Sequence, residues 1–571
     1  MKSLFIQAPC SVTLDWEDAS ASLASALTTY LDLSLSLESK YLRVAMTSNL
    51  VDRIDSKLGN IQSIMEEQLF KSRSALARTR NRLASPLYRF PEEIMSQIFM
   101  NVIHDYHPLM ENISPISMED HLTYTYRSLH DLLRVCSVWR NVALRRAALW
   151  STIPILDSAF GISFSGCRLY QETRLSLQRA GGAGLHLAAV LGISEYQKTK
   201  LLPDYASRFH TINLKSEHLR SIQKIIDMVL ESGIPRSLRE LSICHTHSGT
   251  CNYAERLPRN PDYLNLHECN HRATFGQLVQ SVATLRISGL PFHWHAITFS
   301  TELVELQIHS VTLGYESGLN HFLKAVASAT QLRDLKIISV SAFPNPEENE
   351  SAMPLSIAIP NLESLYLQDL HYNVLQRILT TIVPGSHHLT LYLTHKSFYT
   401  GTIDADSEDF TEEDVEPSDL CNLLCIIPVN TLLLFGDYGD HWLTDLELRQ
   451  LLRSIPSLKT LRMSDWDFFA TNWATLERPR GVPFPKLQNL HLTGARIFDA
   501  AGLKKVITSH QIQHLEIGGS VYKGEHELAN REELKLGGGL VNWLESHVPS
   551  VCLRKHSYEA PEFQAARWRL W

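Results

Sequence analysis

The sequence predicts a mixed α/β fold in which a helical leader and a small helical module precede a long solenoid of alternating strands and helices. The solenoid is indicated by the pattern apolar-x-x-Leu-x-apolar, which recurs at a period near 29 residues. The leader is indicated by an apolar stripe at steps of three and four residues. The module is indicated by two short amphipathic segments that follow Pro91.

Length and composition narrow the class of protein. The 571 residues exceed one ordinary core, so we expect two or more structural units. Hydrophobic residues make up 44% and charged residues 20%, which is typical of globular chains rather than disordered ones. The formal net charge of −8 argues against a dedicated nucleic-acid binder, because such proteins usually carry a basic excess.

No segment has the length and hydrophobicity of a membrane span. The most apolar stretch, residues 420–435, includes one proline and two asparagines and is too short to cross a bilayer comfortably. The first residues lack the apolar core of a signal peptide, and the nine scattered cysteines suit a reducing compartment. We therefore expect a chain that works in the cytoplasm, the nucleus or both, without a membrane.

Residues 1–84 are predicted to form the helical leader. An apolar stripe on one helix face consists of Val51, Ile54, Leu58, Ile61 and Met65. Its two heptads admit either a short coiled coil or an amphipathic helix that packs on a neighbour within the chain. A basic run without acids follows from Lys71 to Arg89 and is interpreted as a solvated helix face.

Residues 85–155 are predicted to form the helical module. Pro91 suits the first turn of a helix, where its missing N–H costs nothing. Two apolar faces follow at helical spacing, made of Ile94, Ile98 and Phe99 on the first helix and Leu132, Val135, Cys136 and Trp139 on the second. The segment from Asp105 to Ser128 is interpreted as an insertion between the helices. Each helix carries more apolar surface than so small a module can bury.

The order of these motifs resembles the F-box. The matching residues read Leu-x-x-x-Pro-Glu-Glu-Ile-x-x-x-Ile-Phe, then Val-Cys-x-x-Trp-Arg, then Leu-Trp, with Phe90 where the family usually has leucine. With its leader, the chain is similar to F-box-like proteins of mushroom-forming fungi. The resemblance implies a three-helix module that docks on a Skp-type adaptor, which in turn binds a cullin. It assigns to the adaptor interface or its support Leu87, Pro91, Ile94, Ile98, Phe99, Val135, Cys136 and Trp139.

Residues 156–571 are predicted to form the solenoid. Seven units fit the pattern, four looser copies lie among them, and most are 25–30 residues apart. Helices are predicted between the strands at 321–329, 374–383, 446–455 and 501–509. The period resembles that of leucine-rich repeats, which implies a curved solenoid with a parallel sheet on its concave side. An irregular form is expected, because the asparagine or cysteine of regular repeats is replaced by Val311, Val340, Leu370, Trp466 and Ala495.

Residues that alternate with the leucines are expected to face out across the concave sheet. The central outward column reads Asn213, Ser242, Arg286, Gln307, Lys336, Tyr366, Tyr392, Leu433, Arg462, His491 and Glu516. Tyrosine and arginine often anchor protein interfaces. The predicted target-binding residues are therefore Arg286, Gln307, Lys336, Tyr366, Tyr392, Arg462 and His491.

Two long spacings indicate insertions. The first holds the potential metal ligands Cys244, His245, His247, Cys251, His267, Cys269 and His271. Because no CxxC pair is present, they are interpreted as free thiols and surface imidazoles, and no metal site is predicted. The second, residues 404–416, is predicted to be a mobile acidic loop, which acts either as a solubilising spacer or as an attraction for a basic target.

The sequence favours a non-catalytic protein that needs no cofactor. It has no phosphate loop and no GxSxG motif, and a hydrolase would need an acid–base pair in a deep pocket. We expect the substrate receptor of an SCF-type (cullin–RING) ubiquitin ligase, which brings an unknown protein target close to transfer chemistry supplied by other subunits. The alternative is a repeat scaffold or ligand-sensing protein in which the F-box-like helices cap the solenoid. That alternative predicts burial against the first repeats for Ile94, Ile98, Phe99 and Val135.

Overall fold

The protein divides into two compact units, Met1–Pro91 and Glu92–Trp571. The computed structural model describes residues 11–41, 48–84, 90–104, 117–156, 169–192, 201–231, 233–246, 275–290, 297–344, 355–403, 410–436, 442–522, 531–556, 558–568 and 570.

The first unit contains two long helices, α1 (Ser11–Tyr41) and α2 (Ser48–Ala84). The predicted helical stripe lies on α2, where Val51, Ile54 and Leu58 are exposed. Within the described part of this unit no side chain is fully buried. Residues 11–41 and 48–84 are therefore helical, and the stripe is exposed in its first half but half-buried at Ile61 and Met65.

The second unit begins with a helical module of α3 (Glu92–His104), α4 (Met118–Val135) and α5 (Ser137–Arg145). α3 starts directly after Pro91 and has two glutamates in its first turn. Their negative charges stabilise the helix by interacting with the positive end of its dipole. Met95, Phe99 and Ile103 lie one turn apart on the buried side of α3. The Phe99 ring packs against Trp139 of α5 with centroids 5.0 Å apart.

Two predictions about the module are wrong. The predicted insertion is helical from residue 118 onward, because Ser117 caps α4 by accepting a hydrogen bond from the Asp120 N–H at 3.1 Å. The predicted second helix is two helices, because the backbone of Cys136 is extended. Its sulfur accepts a hydrogen bond from the Trp139 N–H at 3.4 Å, so Cys136 caps α5 and does not continue α4.

The rest of the second unit alternates strands with helices. The strands are β1 (Thr152–Leu156), β2 (Leu185–Leu191), β3 (Phe209–Ser216), β4 (Glu240–His245), β5 (Thr284–Ser288), β6 (Glu305–His309), β7 (Thr312–Tyr315), β8 (Asp334–Ile338), β9 (Ser341–Phe343), β10 (Ser364–Gln368), β11 (His388–Leu393), β12 (Tyr399–Ile403), β13 (Phe410–Asp414), β14 (Thr431–Phe435), β15 (Thr460–Ser464), β16 (Asp467–Phe468), β17 (Asn489–Ile497), β18 (His514–Tyr522), β19 (Arg531–Glu533) and β20 (Ser550–Arg554). The helices are α6 (Leu169–Arg179), α7 (Leu219–Glu231), α8 (Glu316–Ala327), α9 (Tyr372–Thr381), α10 (Pro417–Cys425), α11 (Asp445–Ser454), α12 (Ala470–Leu476), α13 (Ala500–His510) and α14 (Gly539–His547).

One long sheet organises this unit. Its strands pair in the order β1-β2-β3-β4-β5-β6-β8-β10-β11-β14-β15-β17-β18, and every pair in that series is parallel. β20 extends it in parallel beside β18, and β19 pairs there antiparallel. All eleven predicted repeat units supply strands of this sheet, and the four predicted helices are present as α8, α9, α11 and α13. A strand–helix solenoid with a parallel sheet is therefore shown.

The sheet has a two-residue step in register at β11. On one side Leu365 pairs with Leu389, and on the other side Leu391 pairs with Leu432. β11 carries leucines at 389, 391 and 393, so it continues both rows of buried side chains. The predicted column of outward residues is therefore wrong at this point. Tyr366 pairs with Thr390, whereas Tyr392 pairs with Gln368 and Leu433.

The strand ends share a turn that replaces the missing asparagine. Ser310, Ser339, Asp369 and Asp465 adopt positive φ one residue after β6, β8, β10 and β15, and Gly289 does so after β5. Each donates its backbone N–H to a carbonyl of the neighbouring strand of the sheet at 2.8–3.1 Å. The following residues Val311, Val340, Leu370 and Trp466 are buried. These turns therefore combine a left-handed residue with a buried apolar residue, in place of the asparagine or cysteine side chains of regular repeats.

We expect Gly289→Ala to lower the free energy of unfolding by about 2 kcal/mol, a typical cost of backbone strain. Gly289 has φ +69°, and an added Cβ would collide with the His245 carbonyl. Gly233→Ala is the matched control, because Gly233 also has positive φ (+87°) but no atom lies near its Cβ position. Urea unfolding should show the larger loss for Gly289→Ala. Equal losses would contradict the close-packed turn.

Candidate interaction surfaces

Helix α3 carries a second apolar stripe beside its buried one, displaced by one residue and therefore by about 100° around the helix. The stripe, Ile94, Ile98 and Val102, recurs every four residues, and Ile94 and Val102 are 48% and 44% exposed. Ile98 is half-buried. Val135, at the end of α4, is 56% exposed. We name Ile94, Ile98, Val102 and Val135 the docking face. Val102 was not predicted, although continuing the four-residue spacing from Ile98 would have found it.

The other predicted residues of the module have different positions. Phe99 is fully buried and Trp139 half-buried, so both support the module from within. Cys136 acts as a helix cap, and Pro91 is exposed just before α3. Leu87 lies outside the described residues.

Helix α4 caps the sheet. Its Met118 and Leu122 are fully buried in one cluster with Ala188 and Val190 of β2. The Tyr126 hydroxyl donates to the Thr152 carbonyl at 2.6 Å. α4 therefore covers the first strands. Of the four residues for which the capping alternative predicts burial, Ile94 and Val135 are exposed, Ile98 is half-buried, and Phe99 is buried against Trp139 of the module itself.

The outward side of the sheet, which we name the column face, is covered by the segment Tyr558–Leu570, the strap. The Tyr366 hydroxyl donates to the Glu562 carbonyl at 2.9 Å, and Arg462 Nη1 lies 3.0 Å from a Glu562 carboxylate oxygen. Phe563 is 7% exposed, with its ring 5.3 Å from that of Tyr392. Burial raises the pKa of Tyr366 and of Tyr392, so both phenols stay neutral.

The strap continues along the column face as far as the first strands. Gln307 Nε2 donates to the Ala565 carbonyl at 3.4 Å, and Trp568 Nε1 donates to Asn213 Oδ1 at 2.9 Å. The Asn213 amide also donates to the Leu570 carbonyl. Leu570 is buried in the cluster that joins α4 to β1 and β2. The strap therefore crosses the sheet from β15 to β1.

A cleft of about 390 Å³ remains between the strap and the column face. Arg286 enters it and pairs with Glu240 at 2.5 Å and with Glu305 at 3.0 Å. Burial lowers the pKa of Arg286, but the bonds to the two carboxylates more than offset this and leave the pKa raised. Lys336 lies 4.0 Å from Glu305. The charges beneath the strap are thus largely paired with one another.

His491, the last predicted target-binding residue, belongs to a cluster at the far end of the column. Its Nδ1 lies 2.7 Å from one oxygen of Glu516, and Arg554 Nε lies 2.5 Å from the other. Hydrogen bonding from His491 and then from Arg554 lowers the pKa of Glu516 to about 2. This cluster joins β17, β18 and β20.

The two insertions are described in part. Cys244 is buried, and burial raises the pKa of its thiol to about 11. His245 lies 3.2 Å from the Glu217 carbonyl through Nε2, and the other five potential ligands lie outside the described residues. In the acidic segment the predicted loop is wrong for residues 410–414, which form β13 paired antiparallel with β12. There Glu412 lies 3.0 Å from His371.

One motif in the first insertion was missed. Residues 267–271 read His-Glu-Cys-Asn-His, the HExxH spacing that many zinc hydrolases use. That chemistry requires a helix to bring both histidines to one face, and these residues lie outside the described ones. Among the described residues no group of three or more potential ligands could hold a metal ion. Also among them, no helix is long and apolar enough to cross a membrane.

We expect Glu516→Gln to destabilise the protein at pH 7. The depressed pKa means that ionised Glu516 stabilises the fold above its ordinary pKa near 4.5 and loses this effect as the pH falls towards 2. Urea unfolding at several pH values should show the difference from the parent chain shrink over that range. Glu545→Gln, at an exposed carboxylate of α14, is the control and should change little. A difference that stays constant down to pH 2 would refute this assignment.

Zinc analysis tests the HExxH motif directly. From the sequence we predict no metal site, and therefore none at His267 and His271. We accordingly expect purified protein to contain no stoichiometric zinc. One equivalent of zinc that is lost in His267→Ala, but retained in a His321→Ala control on α8, would overturn that prediction.

Comparisons with known proteins give little. No protein-family model matches the chain, and no curated protein matches it. Among solved structures, the leucine-rich repeat-containing protein LegL7 from Legionella pneumophila aligns with a TM-score of 0.29 and 13% identity, over 55% of this chain and 90% of that one. Similarity of this strength assigns neither a family nor a function.

Proposed function

We propose that this chain is the substrate-recognition subunit of an SCF-type (cullin–RING) ubiquitin ligase. In this proposal α3, α4 and α5 form an F-box that docks on a Skp-type adaptor, and the repeats hold a protein target. The chain is not an enzyme and needs no cofactor, and it works in the cytoplasm, the nucleus or both.

The docking face is the observation that carries the proposal. An amphipathic helix usually has one apolar stripe, and α3 already buries one with Met95, Phe99 and Ile103. The second stripe is left partly open, with Ile94 and Val102 almost half exposed. Apolar patches of this kind mark protein-interaction sites. The sequence resemblance to the F-box adds the expectation of which protein docks there.

The helical module is also fixed firmly to the repeats, as a link between an adaptor and a bound target requires. α4 is anchored to the sheet through Met118, Leu122 and the Tyr126 hydroxyl, and Lys215 of β3 pairs with Glu119 at 2.9 Å. A partner on the docking face would therefore be held at a fixed orientation to the repeats. Such a link supports the transfer of ubiquitin to a bound target, because proximity and orientation raise the effective concentration of the target's lysines.

We expect the double variant Ile94→Asp, Val135→Asp to lose binding to a Skp-type adaptor from the same organism by at least about 100-fold. Burying unpaired carboxylates in an apolar interface costs several kcal/mol. Both side chains are exposed in the free chain, so the variant should remain folded. Co-purification and titration calorimetry of the full chain measure the loss.

Leu446→Asp is the matched control, because Leu446 is 75% exposed but lies on α11 of the solenoid. It should bind the adaptor like the parent chain. Failure of the parent chain to bind any Skp-type adaptor would remove the ligase proposal and leave the repeat scaffold or ligand-sensing protein.

A further inference from the structure

We propose that the strap is an intramolecular occupant of the target-binding surface, which a target displaces with a short 3₁₀-turn segment that carries an acidic side chain directly before an aromatic one. The inference rests on the proposed use of the column face for target binding. It adds two points that the proposed function does not require: the chemical type of the target segment, and competition between that segment and the strap.

The strap covers the residues that suit an interface. Tyr366 and Tyr392 point outward from the sheet, yet they are only 7% and 9% exposed because Phe563 and Ala560 pack on them. The same cluster contains Leu433 and Ile338, which also face outward. An apolar pocket with two tyrosines at its rim is a favourable site for an aromatic anchor. In this structure Phe563 fills it.

The positive charge of Arg462, next to the pocket, determines which residue is favoured directly before the aromatic one. Arg462 lies 3.0 Å from the carboxylate of Glu562, the residue directly before Phe563. An acidic residue beside the aromatic one is therefore recognised at the same time. The Tyr366 hydroxyl contacts the Glu562 main chain within the 3₁₀ turn, so a segment of any sequence that adopts this turn can accept that bond.

The strap fits this surface incompletely. Arg462 Nε and Arg567 Nη1, both among the described atoms, are buried without a hydrogen-bond partner. Both guanidinium groups are ion-paired, but each keeps one buried N–H without an acceptor, which is costly. The strap also leaves a cleft of about 390 Å³ above the column face. A segment that supplies an acceptor to Arg462 Nε can bind better than the strap does.

The contacts that hold the strap are ones that a competing segment can form in its place. Its 3₁₀ turn, Pro561–Gln564, is braced internally because Arg567 pairs with Glu559 at 2.6 Å. In its middle part the Ala565 carbonyl accepts a 3.4 Å bond from Gln307, and Ala565 and Ala566 pack against the cluster that contains Phe563. Detachment of this part uncovers the aromatic pocket. A competing segment that fills the pocket and pairs with Arg462 offsets that loss.

The test uses a fluorescein-labelled synthetic peptide of residues 556–571 and the full chain. The attached strap competes with the peptide, so the parent chain should bind it weakly. Phe563→Ala in the chain weakens the competitor and should raise the affinity for the labelled peptide at least tenfold by fluorescence anisotropy. Leu536→Ala, at a leucine that is 77% exposed, is the control and should leave the affinity unchanged.

A second variant protects the test from a folding defect. Glu562→Gln in the chain removes only the pair with Arg462, at a carboxylate that is 39% exposed, and should raise peptide affinity by a smaller factor. The peptide with the same substitution should bind the Phe563→Ala chain more weakly. Unchanged affinity in both chain variants, or global unfolding of both, would show that the strap is a permanent part of the core and would overturn the proposal.

The outcome is separate from that of the adaptor experiment. Peptide exchange on the column face involves no residue of the docking face. If the chain variants bind the adaptor but never the peptide, the ligase proposal stands and the strap proposal fails. If they bind the peptide but no adaptor, the strap exchange stands and the ligase proposal fails.

Discussion

The parallel hydrogen-bond ladder between successive strands determines where every other part of the second unit lies. Each strand buries its leucines only when the next strand and helix stack beside it, so the unit has to be built as a series. Positive-φ residues such as Ser310 and Asp369 continue the ladder past the strand ends by donating to the next strand. The buried residues after them then anchor the turns without a row of asparagines.

The helical module uses the beginning of this series as its support. The first strands would otherwise leave apolar side chains such as Ala188 and Val190 uncovered, and α4 covers them with Met118 and Leu122. Because α4 covers these strands, the stripe of α3 is not needed there, and Ile94 and Val102 stay almost half exposed. Covering the first strands therefore does not use up the apolar surface of α3.

The sequence predicted the repeat strands well, because leucines at every second position allow little else, but it could not predict the register at β11. A strand with leucines at 389, 391 and 393 fits two registers equally, and only pairing on both sides decides between them. The break at Cys136 was hidden because the apolar spacing continues across it. The strap was missed because its contacts follow no period and lie far away in sequence.

The distance of these contacts along the chain has a consequence for folding. Asn213 and the strap residue Leu570 are 357 positions apart, whereas each strand pairs with a near neighbour. Contacts of such high order form slowly, and the strap can dock only after the sheet that receives it exists. We therefore expect the strap to dock late in folding, after the sheet. Until it docks, the outward side chains of Ile338, Leu433 and both tyrosines lack their cover, and apolar surface of this kind favours aggregation.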